Sequence, residues 1–351
     1  MTGPPTDDPL SILCSFHYYR GEDLDEMASR FRVPPRIFAD SGAFSAFTQG
    51  AEIDVEEYAA WITRWRHRLE VVANLDDLHD PRKTWANQRR LEDLGIQAVP
   101  VFHMGSDFAW LKKYLDAGYR YLALGKMVGR ELTPRMRWAV RCFQVARPYG
   151  AVFHAFGLTR PETIWQLPFY SADSSAWGSG QRFGLVRVWV PEESRFANMR
   201  LWDRRLVYRH ATYLRSIGFE PEVFLDRSRY HRSYAAAVGA HSWLRFEEAA
   251  KRRHGAIPLP PDAWRHDTLT EGPRYFMSLG FDSDVADLAA FDRGTTEERA
   301  EAMRRRRAGW VEGPRYFMAC SGSDDEDLAA LDTDTIEDRA EASRSRRRAR
   351  A

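Results

Sequence analysis

Cysteine is scarce in this chain, and its spacing excludes two kinds of small scaffold. Only three cysteines occur, Cys14, Cys142 and Cys320, and they are far apart. Their odd number argues against a disulfide framework, and without a Cys-x-x-Cys pair we expect no structural zinc site built on thiolates. This cysteine usage is typical of a reducing compartment, so we expect a cytoplasmic protein.

Long apolar runs are also missing. No stretch approaches the roughly 18 consecutive apolar residues that a membrane helix needs, and residues 1–5 lack the pattern of a secretory signal. With 44% hydrophobic and 29% charged residues, the 351-residue chain has the composition of a soluble globular protein. We therefore expect no membrane partner.

The chain as a whole has almost no excess charge, with a formal net charge of +1. Between residues 192 and 260, however, arginines outnumber acidic residues, and tyrosines and a tryptophan are interleaved with them. Basic and aromatic side chains together suit phosphate contact and base stacking in a nucleic acid. Amphipathic helices with solvated arginine faces would give the same pattern, so both interpretations stay open.

Short apolar runs recur at regular intervals along residues 12–190. They predict eight strands: Ile12–Tyr18, Arg36–Asp40, Val71–Asp77, Ala98–His103, Arg120–Gly125, Ala151–His154, Phe169–Asp173 and Leu185–Val190. Most of these runs are continuously apolar, which is typical of strands covered on both faces. Helical stretches with start signals lie between them. The alternation predicts an α/β protein with a TIM-type (β/α)8 barrel and a helical C-terminal extension.

We divide the chain into three parts. Residues 1–190 are predicted to form the barrel with the active site, and residues 191–262 a basic, aromatic, helical segment that packs on the barrel or completes it. Residues 263–351 contain a tandem repeat of about 40 residues, in which Glu271–Met277 recurs at Glu312–Met318. Two copies are too few for a self-supporting solenoid. We expect a C-terminal arm, which either grips phosphates or, as we favour, is a solvated tail of alternating charge.

Acidic and histidine side chains end several of the predicted strands. Because the C-terminal ends of parallel barrel strands meet on one rim, where barrel enzymes carry out their chemistry, we expect these side chains to share a cavity. They are Asp40, Asp76, Asp77, His103, His154 and Asp173.

Asp40-Ser41-Gly42-Ala43-Phe44, together with the segment from Phe169 to Trp177, resembles the tRNA-guanine transglycosylase superfamily. Members carry an Asp-Ser-Gly-Gly-Phe-like motif early in the chain and a nucleophilic aspartate on a late barrel strand. The later segment is most similar to the branch that inserts 7-deazaguanines into DNA, a branch often found in phages. The resemblance extends over residues 12–177 and depends on the order and spacing of the whole set of motifs.

The resemblance implies a role for each matching residue. Asp173 matches the nucleophile and Asp40 the general acid/base. Positions that contact the base in the family are matched by Ser41, Asp76, His103 and Gly125, and we add as further candidate substrate-binding residues Asp77, His154 and Trp177. We expect neither a metal ligand nor a cofactor.

The sequence departs from the family at three points. Ala43 replaces a glycine, His103 replaces a glutamine, and the Cys-x-Cys-x-x-Cys…His zinc module of many members is missing. The missing module puts the docking of the nucleic acid in doubt and weakens a plain tRNA assignment. We therefore favour exchange of guanine for a 7-deazaguanine base (preQ0-like) in DNA through a covalent aspartyl-nucleoside intermediate.

Three alternatives stay open. The nearest is a tRNA-guanine transglycosylase of the queuine or archaeosine type. A metal-dependent barrel hydrolase would use His103, His154 and Asp173 as ligands, although it normally has a His-x-His pair where this chain has only His17. The third is a non-catalytic nucleic-acid-binding protein on a barrel scaffold. The sequence leaves the oligomeric state open, with a homodimer as one candidate.

Overall fold

The computed structural model describes residues 8–127, 132–157, 161–260, 271–280 and 282–308. Its strands are β1 Ser11–Ser15, β2 Arg36–Asp40, β3 Leu69–Val72, β4 Val101–His103, β5 Tyr121–Gly125, β6 Val152–Ala155, β7 Ser171–Ser174, β8 Leu185–Val190, β9 Arg195–Arg200, β10 Ile257–Pro258, β11 Glu271–Gly272 and β12 Arg274–Ser278. Its α-helices are α1 Phe16–Tyr19, α2 Leu24–Ser29, α3 Ala43–Gln49, α4 Val55–Trp65, α5 Pro81–Asp93, α6 Phe108–Asp116, α7 Leu132–Ala146, α8 Pro161–Gln166, α9 Ser179–Phe183, α10 Arg204–Arg209, α11 Ala211–Ser216, α12 Arg232–His254, α13 Asp282–Asp292 and α14 Thr296–Ala308.

Eight strands form one parallel sheet in the order β3-β2-β1-β12-β7-β6-β5-β4. The sheet is strongly curled. Phe38 on β2 contacts His154 on β6, with 4.5 Å between ring centroids, although three strands separate β2 from β6 in the sheet. Such a contact is feasible only across a concave face. The two outer strands are linked by an isolated parallel bridge between Ala73 and Val99, so the described chain has a TIM-like curled sheet whose ladders stop short of closure.

The strand predicted from 185 to 190 is wrong as a member of this sheet. It pairs antiparallel with β9 in a separate two-stranded sheet. Val186 and Val188 are buried while Arg187 between them is not. This alternation is typical of an antiparallel ribbon with one covered face, whereas most strands of the large sheet are buried along their whole length. The hairpin also places a strand, Arg195–Arg200, within the segment 191–262 that the sequence predicted to be helical.

The eighth strand of the large sheet is β12, which lies between β1 and β7. It belongs to the first copy of the tandem repeat, so the large sheet extends beyond the predicted boundary at residue 190. Tyr275, Phe276 and Met277 are all buried. A solvated tail is therefore the wrong description of the first copy; the second copy, Glu312–Met318 and the residues after it, lies outside the described residues.

The long helix α12 follows the hairpin and is the main element of the predicted basic segment. Tyr234 and Trp243, two of its aromatic residues, are in the hydrophobic core. They alternate with arginines in the sequence because one face of the helix packs inward while another faces outward. Since both side chains are buried, they offer no surface for base stacking. Among the helices in the described ranges, none combines the length and apolar character needed to cross a membrane.

Aspartate caps place the helices between the strands. Asp54 accepts hydrogen bonds from the backbone N–H groups of Glu56 and Glu57 at the start of α4, and Asp107 accepts one from Ala109 at the start of α6. Each cap satisfies a helix donor that has no partner within the helix. The helical stretches predicted between the strands are therefore confirmed at α4 and α6.

Candidate active site

The polar residues of the candidate site form a layer above an apolar layer inside the curled sheet. An inner cluster that includes Leu13, Phe38, Val101, Ala123 and Phe276 fills the concave face, and Val152 packs against it. Side chains alternate along a strand, so the residue two positions further on points to the same face, nearer the C-terminal end. The resulting pairs are Leu13 with Ser15, Phe38 with Asp40, Val101 with His103, Ala123 with Gly125, Ser171 with Asp173 and Phe276 with Ser278. His154 lies level with Ala123 and Ser171, in the lower layer.

Asp173 is buried, with 6% of its surface exposed, and three donors hold its carboxylate. The N–H of Gly157 donates to Oδ1 at 2.8 Å, and Nε2 of His154 lies 3.3 Å from the same oxygen. The hydroxyl of Ser278 donates to Oδ2 at 2.5 Å. Each carboxylate oxygen can accept about two hydrogen bonds. Counting donors from the described residues, Oδ1 is thus fully occupied, whereas Oδ2 keeps one acceptor position.

Asp40 ends β2 and is half-buried. Its Oδ2 accepts a hydrogen bond from the N–H of Gly42 at 3.0 Å. Gly42 has φ of +77°, and a Cβ at this position would lie 2.2 Å from Oγ of Ser15. Both the backbone conformation and the lack of space therefore require glycine. The Asp-Ser-Gly motif is explained by a tight turn that directs one N–H to the carboxyl group of Asp40.

The carboxyl group of Asp40 is a proton donor at neutral pH. Burial raises its pKa to about 8, with further contributions from the charges of Asp76 and Asp173, against a smaller opposing effect of the Gly42 N–H. The three carboxyl groups are thus near enough to interact, as expected if they share one cavity. A group that holds its proton near pH 7 and releases it slightly above is suited to general acid/base catalysis.

Asp76, His103 and Gly125 form a second unit on the neighbouring strands. Nε2 of His103 lies 2.7 Å from Oδ2 of Asp76, and His103 is only 4% exposed. A Cβ on Gly125 would lie 2.6 Å from Cδ2 of His103, so the imidazole packs directly on the Gly125 backbone. His103 fixes the orientation of Asp76, whose Oδ1 receives no hydrogen bond from the described residues and can accept one from a ligand.

His154 lies level with Ser171, one layer below Asp173. It has no exposed surface, and its Nδ1 is 2.8 Å from Oγ of Ser171. Burial lowers the pKa of His154, although the nearby Asp173 opposes the shift. The direct contact with substrate predicted from the sequence does not fit this position.

Two other candidate residues have local structural contacts. Ser41 is fully buried and its Oγ accepts the N–H of Ala43 at 3.3 Å, at the start of α3. Asp77 accepts the N–H groups of His79 and Asp80, both at 2.9 Å, in the turn that leads to α5. Both side chains are thus engaged in hydrogen bonds with the nearby backbone.

Trp177, the remaining candidate, is also unavailable to a ligand. It is 1% exposed and donates its indole N–H to the carbonyl of Ser278 at 3.0 Å. Trp177 therefore supports the strand that carries Ser278 and is not placed to stack on a base.

Sequence reasoning missed Ser278 and Gly157. Ser278 is 105 positions from Asp173 in the chain and lies in a segment assigned to the arm, so no local pattern pointed to it. Gly157 contributes only a backbone N–H, for which the side-chain pattern holds no signal. The structure thus brings together Asp40, Asp76, His103, Gly125 and Asp173, with His154 and Ser278 supporting the last.

The ligand set of a metal-dependent hydrolase does not converge. His103 is directed to Asp76, whereas His154 is directed to Asp173. Across the part of the chain that the structure describes, no group of three or more histidine, cysteine, aspartate or glutamate side chains is arranged to hold a metal ion. This geometry does not favour the hydrolase alternative.

Comparison of the sequence with models of protein families gave no match, and comparison with curated proteins gave none either. The class of protein is therefore defined by the arrangement alone, a TIM-like α/β fold with three carboxyl groups gathered at the C-terminal ends of its strands.

Proposed function

We propose that the chain is a transglycosylase that exchanges guanine for a 7-deazaguanine base in DNA. The observation that carries the proposal is a pair of carboxyl groups in different environments at one end of the sheet. Asp173 is held by three donors among the described residues, which leave one acceptor position on Oδ2, whereas burial raises the pKa of Asp40 to about 8 and keeps that group protonated at neutral pH. Base exchange at a nucleoside needs one group of each kind.

The proposed reaction has two displacements at the anomeric carbon. The carboxylate of Asp173 attacks this carbon as the bond to guanine breaks, through an oxocarbenium-like transition state, and forms a covalent aspartyl-sugar ester. Asp40 donates its proton to the departing base. The incoming deazaguanine then displaces the aspartate and returns a proton to Asp40. Because each step inverts the configuration, the product retains that of the substrate.

Asp76 is the proposed reader of the base. Guanine and a 7-deazaguanine present the same N1–H and exocyclic amine, both of which are donors, and the carboxylate of Asp76 is an acceptor held in place by His103. A base that lacked these donors would leave the carboxylate unpaired, at a cost of about 1–3 kcal/mol per lost hydrogen bond. One site can therefore hold both the departing and the incoming base.

A closed (β/α)8 barrel is the finer architecture that we propose with this activity. Two backbone hydrogen bonds at the edge of the sheet support it, from the N–H of Asn74 to the carbonyl of Val99 at 2.9 Å and from the N–H of Val99 to the carbonyl of Val72 at 2.7 Å. These bonds bring the outer strands together and would place every strand end around one cavity.

Access to the target guanine requires that it leave the duplex stack, at a cost of a few kcal/mol. Aromatic side chains follow β1 and β2 near Asp40, and Tyr18 and Phe47 are exposed, at 45% and 44%. Exposed rings beside the cavity can stack on unpaired bases whatever their sequence. DNA as substrate, a cytoplasmic location and a homodimeric state remain predictions, with tRNA as the rival substrate.

The test is an exchange assay with the purified full-length chain. Guanine-containing DNA, single-stranded and duplex, and a tRNA transcript are each incubated with 7-cyano-7-deazaguanine, and the nucleosides are analysed by mass spectrometry. We expect the deazaguanine deoxynucleoside from DNA. Incorporation into tRNA alone would favour the rival substrate, and DNA binding without exchange would favour the non-catalytic alternative.

The matched variants are Asp173→Asn and Asp77→Asn. Asp173→Asn is expected to lose exchange by about a thousandfold or more, together with the covalent protein–DNA species on a denaturing gel, while DNA affinity changes little. Asp77→Asn removes an aspartate in the turn that leads to α5, which has no proposed role in the chemistry, and should keep exchange and the covalent species. Unchanged exchange in Asp173→Asn would remove this residue from the mechanism.

A further inference from the structure

A buried chain of hydrogen bonds leads from the floor of the curled sheet to Asp173. Oη of Tyr121 lies 2.6 Å from Oγ of Ser171, and this Oγ lies 2.8 Å from Nδ1 of His154. Nε2 of His154 lies 3.3 Å from Oδ1 of Asp173. Tyr121, Ser171 and His154 are each at most 1% exposed. The proposed reaction does not use these three side chains directly.

With a neutral imidazole, the hydrogen bonds from Tyr121 to Asp173 have one consistent direction. Asp173 as a carboxylate can only accept, so Nε2 of His154 carries a hydrogen. Ser171 then donates to Nδ1 and accepts from the hydroxyl of Tyr121, which stays protonated because burial raises its pKa well above the ordinary value. An imidazolium would instead donate from Nδ1 to Ser171, and the Ser171 hydroxyl would then donate to Oη of Tyr121, since either hydroxyl can be the donor in that pair. Burial lowers the pKa of His154, so the neutral Nε2–H form is the one that fits this enclosed position.

Aromatic rings on three sides fix the imidazole. The centroid of the His154 ring lies 4.5 Å from that of Phe38, 4.6 Å from that of Phe156 and 6.3 Å from that of Phe276. These rings prevent the imidazole from turning toward the cavity. A polar chain within an otherwise apolar layer costs desolvation that apolar residues of the same shape would avoid, so its presence calls for a purpose beyond packing.

We propose that His154 is a positioning residue for Asp173. Together with the N–H of Gly157, it occupies both acceptor positions of Oδ1 and leaves Oδ2, beside the Ser278 hydroxyl, as the oxygen that attacks the sugar. The inference rests on the proposed function, because it assigns a nucleophilic atom within that reaction. Ser171 and Tyr121 act one step further back, since they select the tautomer that presents a hydrogen to Asp173.

The first test needs no substrate. The full-length chain, labelled with ¹⁵N in histidine only, is examined by NMR at pH 7, with the spectrum of His154→Gln used to assign the resonance. We expect the chemical shifts of a neutral ring with hydrogen on Nε2. Ser171→Ala should broaden or shift this resonance, since Nδ1 loses its donor. An imidazolium or an Nδ1–H tautomer in the wild-type chain would overturn the proposal.

The second test separates the donor from the shape of the side chain. His154→Phe keeps a ring but has no donor, and His154→Gln places an amide N–H near the position of Nε2. We expect His154→Phe to lower kcat about tenfold, as for a modest charge-assisted hydrogen bond, with KM for DNA within about twofold. His154→Gln should recover most of kcat. Ser171→Ala, which deletes one hydroxyl, should fall between wild type and His154→Phe and serves if the phenylalanine variant does not fold.

The outcomes distinguish the two proposals. Suppose that the wild-type chain exchanges the base. If His154→Phe is then fully active, or if His154→Gln is no more active than His154→Phe, the role of His154 is overturned and the transglycosylase proposal stays intact. A wild-type chain that exchanges no base in any nucleic acid would overturn the proposed function and with it the assignment of the attacking oxygen.

Discussion

Replacing Asp40 with asparagine is expected to stabilise the fold at neutral pH, although it removes the proposed acid. Burial, and then the charges of Asp76 and Asp173, raise the pKa of Asp40 from its ordinary value of 3.8 to about 8. The folded chain therefore binds this proton more tightly than the unfolded chain does. The contribution of Asp40 to the free energy of unfolding is complete below about pH 4 and is lost as the pH rises toward 8.

The size of the stability change follows from the pKa shift of Asp40. At pH 7 the unfolded carboxyl group is about three pH units above its pKa, whereas the folded group is still mostly protonated. At about 1.4 kcal/mol per unit, the loss of stability has an upper limit of about 4 kcal/mol. Because Asp40 is half-buried, water screens part of the effect, and we expect Asp40→Asn to raise the free energy of unfolding at pH 7 by about 1–3 kcal/mol. The asparagine oxygen can still accept the 3.0 Å bond from Gly42.

Urea unfolding at pH 4, 7 and 9 measures this effect. The difference between variant and wild type should be near zero at pH 4, positive at pH 7 and largest at pH 9, with unchanged dependence of the free energy on urea. Base exchange by Asp40→Asn should fall by about 10²-fold or more, as for loss of a general acid.

Asp77→Asn is the matched control, because its pKa shift has the opposite sign. Partial burial alone would raise the pKa of Asp77, but the N–H groups of His79 and Asp80 and the ammonium group of Lys83 outweigh it and lower the pKa. Its contribution is therefore present at neutral pH and lost as the pH falls through the lowered pKa. Asp77→Asn should destabilise the chain at pH 7. A gain from Asp40→Asn that is equal at pH 4 and pH 9, or the same direction of pH dependence for both variants, would refute the reasoning.

Two further predictions concern the geometry of the sheet. Gly125→Ala should lower base exchange by at least about tenfold, because a Cβ would lie 2.6 Å from the ring of His103 and displace it; Gly21→Ala, where nothing lies within 4 Å, should keep full activity, and equal activities in the same assay would contradict the prediction. A chain that ends at Ala308 should unfold within about 3 °C of the full chain in scanning calorimetry, because β12 is retained. A chain that ends at residue 260 lacks β12 and should show no cooperative transition. A normal transition in this shorter chain would show that β12 is dispensable.

The sequence could predict the strands whose signal is local. Tyr121–Gly125 is a short, continuously apolar run and Val152–Ala155 is apolar except for His154. The structure places strands there because burial on both faces favours apolar residues on both. The positions of Asp40 and Asp173 at strand ends followed from the same runs. Their convergence depends only on parallel strands in a curled sheet, which the alternation with helices predicted.

The parts that the sequence could not predict depend on distant neighbours. Strand β12 is recognised only by its partners β1 and β7, of which β1 lies more than 250 residues earlier in the chain. Trp177 is buried because α12 approaches it closely: a Cβ on Gly239 would lie 2.0 Å from the Trp177 carbonyl oxygen. Neither the partner of a strand nor the helix that covers a tryptophan is encoded in the nearby residues.

The position of β12 between β1 and β7 has a consequence for biosynthesis. A ribosome makes the first seven strands of the sheet before the strand that joins its two halves, so β1 and β7 each offer an unpaired edge to their surroundings in the meantime. The gap between β1 and β7 must therefore stay open until β12 has been synthesised. Until β12 is in place, Asp173 lacks the Ser278 hydroxyl, and the active site that we propose is incomplete.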